Sequence, residues 1–158
     1  MAYNWKPETM WKKRTKIIAK IIHSGSDVLD LGGGYENLNQ FLNNCRYVSI
    51  DNFECTEDTV LADFNKGEFP DFYHKWDYLV CQGLIEYIRK PKRFLTEIQK
   101  YGDVLIITYR KNSPAPVWRN ELSFKKLRDI IKESGWEIVM GKTIIKKKEM
   151  LYYCRLRK

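Results

Sequence analysis

The chain has 158 residues, 44% of them hydrophobic and 30% charged, which is enough apolar material for one buried core and too much for a disordered segment. No apolar run is long enough to span a bilayer and the basic, aromatic first twenty residues lack a signal-peptide pattern, so a single cytoplasmic domain over residues 1–158 is expected. The net charge of +8 is unevenly placed, because residues 1–110 carry 15 Lys and Arg against 15 Asp and Glu whereas residues 111–158 carry 13 against 5; an anionic substrate or RNA is one reading of that basic end, and a solvated face is the other.

In chain order, residues 1–24 form a leading segment. Met10, Ile17, Ile18, Ile21 and Ile22 alternate with lysines and Arg14 and predict an amphipathic helix over Thr9 to Ile22, preceded by the aromatics Tyr3 and Trp5 and including Trp11. Asp27 to Leu31 is a short apolar run that ends in Gly32-Gly33-Gly34, the pattern of a buried parallel strand entering a sharp turn, with a helix expected from about Glu36 to Asn43. Tyr47 to Ile50 is a second strand ending at Asp51. Only about eight residues separate it from a third strand near Thr59 to Ala62, so the crossover helix there is expected to be short or missing. Trp76 to Cys81 is a fourth strand, Pro91 to Lys100 a helix, and Val104 to Tyr109 a fifth strand. A long loop follows to Asn120, with Arg110, Trp118 and Arg119 in or beside it. Ser123 caps a helix through Ser134, and Glu137 to Ile145 with Glu149 to Leu156 reads as a hairpin turning at Lys146-Lys147-Lys148.

The glycine turn carries the chemistry. Asp30-Leu31-Gly32-Gly33-Gly34 lacks the last glycine of a dinucleotide fingerprint, since Asn37 stands there, and lacks the Gly-Lys-Ser/Thr end of a phosphate loop. An acid before the turn would repel phosphate and suits a ligand that is cationic near the loop, such as S-adenosylmethionine. Asp51, ending the next strand, is spaced to accept hydrogen bonds from both ribose hydroxyls, with the adenine between Asn52 or Phe53 and the following strand.

These residues resemble the first two motifs of class I S-adenosylmethionine-dependent methyltransferases of the small type-11-like kind, in which another glycine usually occupies the position of Glu36. The resemblance covers roughly residues 9 to 157. It implies a three-layer Rossmann-like α/β fold with a mostly parallel seven-stranded sheet and a terminal antiparallel hairpin, residues 25–110 forming the cofactor half and 111–158 the substrate side. It further implies that Asp63 meets the adenine amino group with Phe64 as ring neighbour, that Gln82 lies beside the cofactor, and that the leading segment can serve as a lid. Gln82 to Ile88 is similar to the family's segment after the fourth strand, with Tyr87 where histidine is common, and carries no base-methylating Asn/Asp-Pro-Pro-aromatic motif.

On that basis S-adenosyl-L-methionine is the expected cofactor and no metal is expected. Glu86 or Tyr87 is the expected group to take a hydroxyl proton, and Tyr109, Arg110, Trp118 and Arg119 are the expected substrate contacts. The expected acceptor is a small or glycan-precursor anion methylated on oxygen, with RNA as the alternative, and a non-catalytic cofactor-binding module assisting a partner enzyme as another. Thin cover over the second and third strands suggests a homodimer or partner contact. The four cysteines show no metal-ligand spacing and read as reduced and structural, and His23 and His74 as surface or capping residues.

Overall fold

The computed structural model describes residues 9–111 and 119–158. Among them one seven-stranded sheet forms from β1 (Asp27–Leu31), β2 (Arg46–Asp51), β3 (Val60–Leu61), β4 (Tyr78–Cys81), β5 (Val104–Arg110), β6 (Trp136–Ile145) and β7 (Glu149–Leu156). The spatial order is β3-β2-β1-β4-β5-β7-β6. Neighbours pair in parallel from β3 to β5, and β7 runs antiparallel to both β5 and β6, as the terminal hairpin predicts. The strand order reverses between β1 and β4, so a crevice opens at their carboxyl ends, and that is where this topology puts ligands.

Burial on both faces explains the continuous apolar runs of β1 and β4. Leu29, Leu31, Leu79, Leu105 and Ile107 share a core with Phe94 and Leu95 of α2 (Pro91–Glu97) and Leu127, Ile130 and Ile131 of α3 (Phe124–Glu133). Val28, Val80, Ile106 and Leu151 pack on the other face with Ile18 of α1 (Thr9–Ala19). Fully buried Ile18 contributes about 2 kcal/mol to docking that helix. The helix is shorter than its apolar period predicts because the Ile21 N–H bonds Ile18 O and tightens the last turn, although Ile22 stays buried. Ser123 caps α3 as expected, its hydroxyl accepting from the Lys126 N–H at 3.0 Å. Ser123→Ala should cost about 1 kcal/mol and lower the melting temperature by roughly 2 to 4 °C, measured by circular dichroism.

One expected element is absent. No α-helix forms over 36–43; a single 3-10 turn at Asn39–Phe41 takes its place. Glu36 has φ of 56° and Asn44 φ of 51°, both left-handed, and the stretch between them is rich in asparagine, whose side chain competes for the backbone groups a helix needs. The predicted loss of the helix between β2 and β3 does occur, and Phe53 and Leu61 stand 42% and 59% exposed beside the gap. In the loop over 62–77, Phe64 and Phe69 pack against Phe94, and Phe72 against Trp76 and Tyr101. Among the described residues no helix is long and apolar enough to cross a membrane. All four cysteines are free, Cys81 and Cys154 being buried.

Candidate active site

A cleft of about 850 Å³ opens at the carboxyl ends of β1, β2 and β4. Its floor is the turn Gly32-Gly33-Gly34. A side chain at Gly33 would run into the Ser49 hydroxyl and stand 3.0 Å from the Tyr47 hydroxyl, so close approach of β2 requires glycine there. A Cβ at Gly34 would meet no protein atom within 4 Å, which leaves the loop open to a ligand. Glu36, where the related motif has glycine, takes the left-handed conformation a glycine would take, and Thr56 Oγ1 donates to its Oε1 at 2.7 Å.

Asp51 lines the cleft with both oxygens occupied on one side: Oδ2 accepts from Gly34 N at 2.9 Å and Oδ1 from Asn52 N at 2.7 Å. Burial pushes its carboxyl above the usual range, and the N–H groups of Gly34, Asn52 and Phe53 pull it back. Each oxygen keeps a lone pair for a hydroxyl donor. Asn52 and Phe53 follow it along the wall, and Asp63 lies opposite, with Oδ1 accepting from Asn65 N at 2.9 Å. Phe64 reaches the wall from the core, its ring 5.1 Å from that of Phe94, so packing holds it in place.

Asp30 lies beneath the loop and does not line the cleft. It is fully buried. Its Oδ2 accepts from the Tyr47 hydroxyl at 2.8 Å and, at 3.4 Å, from Gln82, whose own Oε1 accepts from Thr15 Oγ1 at 3.1 Å. Its Oδ1 has no partner. Burial raises its pKa to about 7 against the hydrogen bonds from Tyr47 and Gln82. Gln82 thus joins the acid under the loop to the leading helix while its own side lines the cleft.

The mouth of the cleft holds three of the expected acceptor-side residues, Glu86, Tyr87 and Arg110, and Arg119 does not line it. Glu86 is 3% exposed; its Oε1 accepts from Arg110 N at 2.7 Å and its Oε2 is buried with no partner. Burial raises its pKa to about 7. Tyr87 and Arg110 line the same wall. Burial, then the nearby Glu86, hold the Tyr87 phenol protonated beyond its ordinary range, so Glu86 is the better proton acceptor of the two. Tyr109 is not at the mouth. It is buried, accepts from Leu122 N at 2.8 Å and supports the segment bearing Arg119, which is half-buried. Trp118 lies outside the described residues, as do Tyr3 and Trp5. Neither histidine lines the cleft; His74 is exposed beside Arg46.

Sequence reasoning missed the site residues of α1. Arg14, on what reads as the solvent face, points inward and pairs with buried Glu149 at 2.9 Å, while Thr15 bonds Gln82. A threonine within the lysine-rich face was the available signal. Asn120 was also missed; its Nδ2 donates to Ile85 O at 2.6 Å and Ile88 O at 3.1 Å and locks the Glu86 turn.

This architecture recurs in solved structures. 1,6-Didemethyltoxoflavin-N1-methyltransferase of Burkholderia thailandensis, with 1,6-didemethyltoxoflavin and S-adenosylhomocysteine bound, matches with a TM-score of 0.78 at 14% identity, over 98% of this chain and 81% of that one. A SAM-dependent methyltransferase of Aquifex aeolicus matches with 0.76 at 15%, over 96% and 94%. The small RNA methyltransferase HEN1 matches with 0.75 at 12%, over 100% of this chain and 26% of that one. A heterocycle and a small RNA thus appear among neighbours of one fold, so the likeness fixes the class I methyltransferase architecture and leaves the acceptor open. No curated protein sequence matches the chain. The family described as methionine biosynthesis protein MetW matches residues 12–124, a span that takes in the glycine turn, Asp51, Glu86 and Arg110, and the chain belongs to that family.

Proposed function

We propose that the chain binds S-adenosyl-L-methionine in the cleft and transfers its methyl group to oxygen on a small anionic acceptor. The observation that carries this is the juxtaposition of an open glycine turn and Asp51 at one end with buried, half-partnered Glu86 and Arg110 at the other. The fit is chemical. Asp51 can hold two ribose hydroxyls, Phe53 and Asp63 can hold the adenine face and edge, and Asp30 with Gln82 supplies negative potential under the loop where the cofactor is cationic. Bound there, the cofactor supplies an electrophilic methyl carbon. The residues of the mouth would align the acceptor oxygen with that carbon, and Glu86 would take the hydroxyl proton as the methyl–sulfur bond breaks. Positioning of this kind can supply about 7 to 11 kcal/mol of the barrier reduction.

The family description names methionine biosynthesis and no methyl acceptor, which favours a second reading, a cofactor-binding module that assists a partner enzyme. Incubation with methyl-labelled cofactor and a metabolite extract separates the two: label in a small molecule supports transfer, label in RNA moves the acceptor class, and binding without label supports the module. Cofactor binding itself is tested by calorimetry. Asp51→Ala should lose about 1.5 to 3 kcal/mol of cofactor affinity, roughly ten- to hundredfold. Wild-type affinity in that variant, or preferential NAD binding, would sink the cofactor reading.

A further inference from the structure

The turn that carries Glu86 has little of its own to fix its shape. It is a single 3-10 turn, Ile85–Tyr87, with no side-chain cap, and a helix that short has too few internal bonds to set its own direction. Two asparagines from distant parts of the chain supply what it lacks. Asn120 donates its backbone N–H to Glu86 O at 2.7 Å, and its Nδ2 donates to Ile85 O at 2.6 Å and to Ile88 O at 3.1 Å. Asn65 donates from Nδ2 to Tyr87 O at 3.0 Å and accepts the Arg89 N–H on Oδ1 at 2.8 Å. Each carbonyl from Ile85 to Ile88 thus accepts a bond from one of these two residues.

The side-chain amide is what both places require. Asn120 uses the two hydrogens of one NH2 group on carbonyls three residues apart, which neither a hydroxyl nor a carboxylate can do. Turning that amide over would set its oxygen against both carbonyls, so Oδ1 stays on the other side, buried and without a partner. Asn65 gives and receives at positions two residues apart, and its side chain replaces a neighbouring strand. The two approach from different segments. Asn65 follows Asp63 and Phe64 and lines the cleft with them, whereas Asn120 belongs to the segment that Tyr109 anchors through the Leu122 N–H. The Arg110 N–H then fixes Glu86 Oε1 at 2.7 Å, and Oε2 is left as the one oxygen of that carboxyl with no partner. Resting on the reading of Glu86 as the proton acceptor, we propose that Asn65 and Asn120 are positioning residues that clamp the Ile85–Ile88 backbone from two sides and keep Glu86 Oε2 buried at the cleft wall for the acceptor hydroxyl.

Carbon-13 NMR of the full chain, labelled at the glutamate carboxyls and saturated with S-adenosylhomocysteine, tests this without an acceptor, the Glu86 signal being assigned by its loss in Glu86→Gln. Arg14 of α1, Cys81 of β4, Tyr87, Tyr109 of β5 and Glu149 of β7 all interact electrostatically with that carboxyl, and neither Asn65→Ala nor Asn120→Ala alters the charge of any of them. A moved titration midpoint therefore reports a moved carboxyl. In both variants the midpoint should fall by about 0.5 to 1 pH unit as water reaches the freed turn. Ser123→Ala, which removes the α3 cap and touches neither asparagine, should leave it in place. Exposed Asn65 keeps the test open should Asn120→Ala fail to fold. A midpoint that stays in place or rises in a variant overturns the role of its asparagine, and an equal fall in Ser123→Ala overturns both. Absence of label transfer by the wild-type chain would strike the methyl-transfer reading alone, because the titration needs no acceptor.

Discussion

Glu86→Gln should lower kcat for methyl transfer by about 10² to 10⁴, the usual contribution of a positioned general base, with S-adenosylhomocysteine affinity close to wild type. The substitution is conservative in structure, because the amide oxygen it introduces can accept the Arg110 N–H that Glu86 Oε1 accepts at 2.7 Å. What it removes is the ability of the partnerless Oε2 to take a proton. Burial sets the Glu86 pKa at about 7, so the wild-type rate should rise with pH through neutrality as the carboxyl ionises, and the variant should lose that rising limb. Tyr87 cannot replace it at neutral pH, since burial and Glu86 keep its phenol protonated. If Glu86 serves only to pin the Arg110 backbone, a glutamine in its place does the same and the pH profile stays as in wild type, which would end its assignment as the base.

The sheet and the cofactor half were legible in the sequence because they are written in short-range patterns. The apolar run before Gly32, the acid at the end of β2 and the eight residues that cannot hold a crossover helix each need only local geometry, and β1, Asp51 and the missing helix follow. The segment after the glycine turn was not legible in the same way. Its apolar Leu38 and Phe41 suggest a helix, but Glu36 enters in a left-handed conformation and the asparagines favour turns, so only a 3-10 turn survives. The basic end misleads by composition. Lys146, Lys147 and Lys148 are exposed in the hairpin turn, as the solvated reading has it, while the cations that reach the site are arginines, one of them from the leading helix. Helical period alone assigns Arg14 to solvent. Only tertiary contact with Glu149, 135 residues away, turns it inward.

The pH dependence of stability should also run against the common pattern of acid denaturation, with Asp30 as a principal cause. Its folded pKa of about 7 lies above its ordinary value of 3.8, so between those limits the folded state binds more protons than the unfolded state, and stability must fall as pH rises across that window. The distance between those two values corresponds to roughly 4 kcal/mol lost by pH 8, and Glu86 acts in the same direction. Asp30→Asn keeps an acceptor for the Tyr47 hydroxyl and cannot ionise, at the cost of an unpartnered amide where Oδ1 stands. A net gain of about 2 kcal/mol at pH 8, seen as a melting temperature roughly 4 to 8 °C higher, is expected, whereas at pH 4, where the folded carboxyl is already neutral, only the cost of the amide remains and the variant should be about 2 kcal/mol less stable. If the charge under the loop exists to receive a cationic cofactor, the same variant should bind S-adenosylmethionine more weakly at pH 8 despite being more stable. Differential scanning fluorimetry across pH, paired with calorimetry at pH 8, reads both. Equal melting temperatures of wild type and variant at pH 8 would mean that Asp30 is not buried as a reluctant anion. A stabilised variant with full cofactor affinity would make the acid a structural feature of the β1–β2 packing, with no part in recognising the ligand.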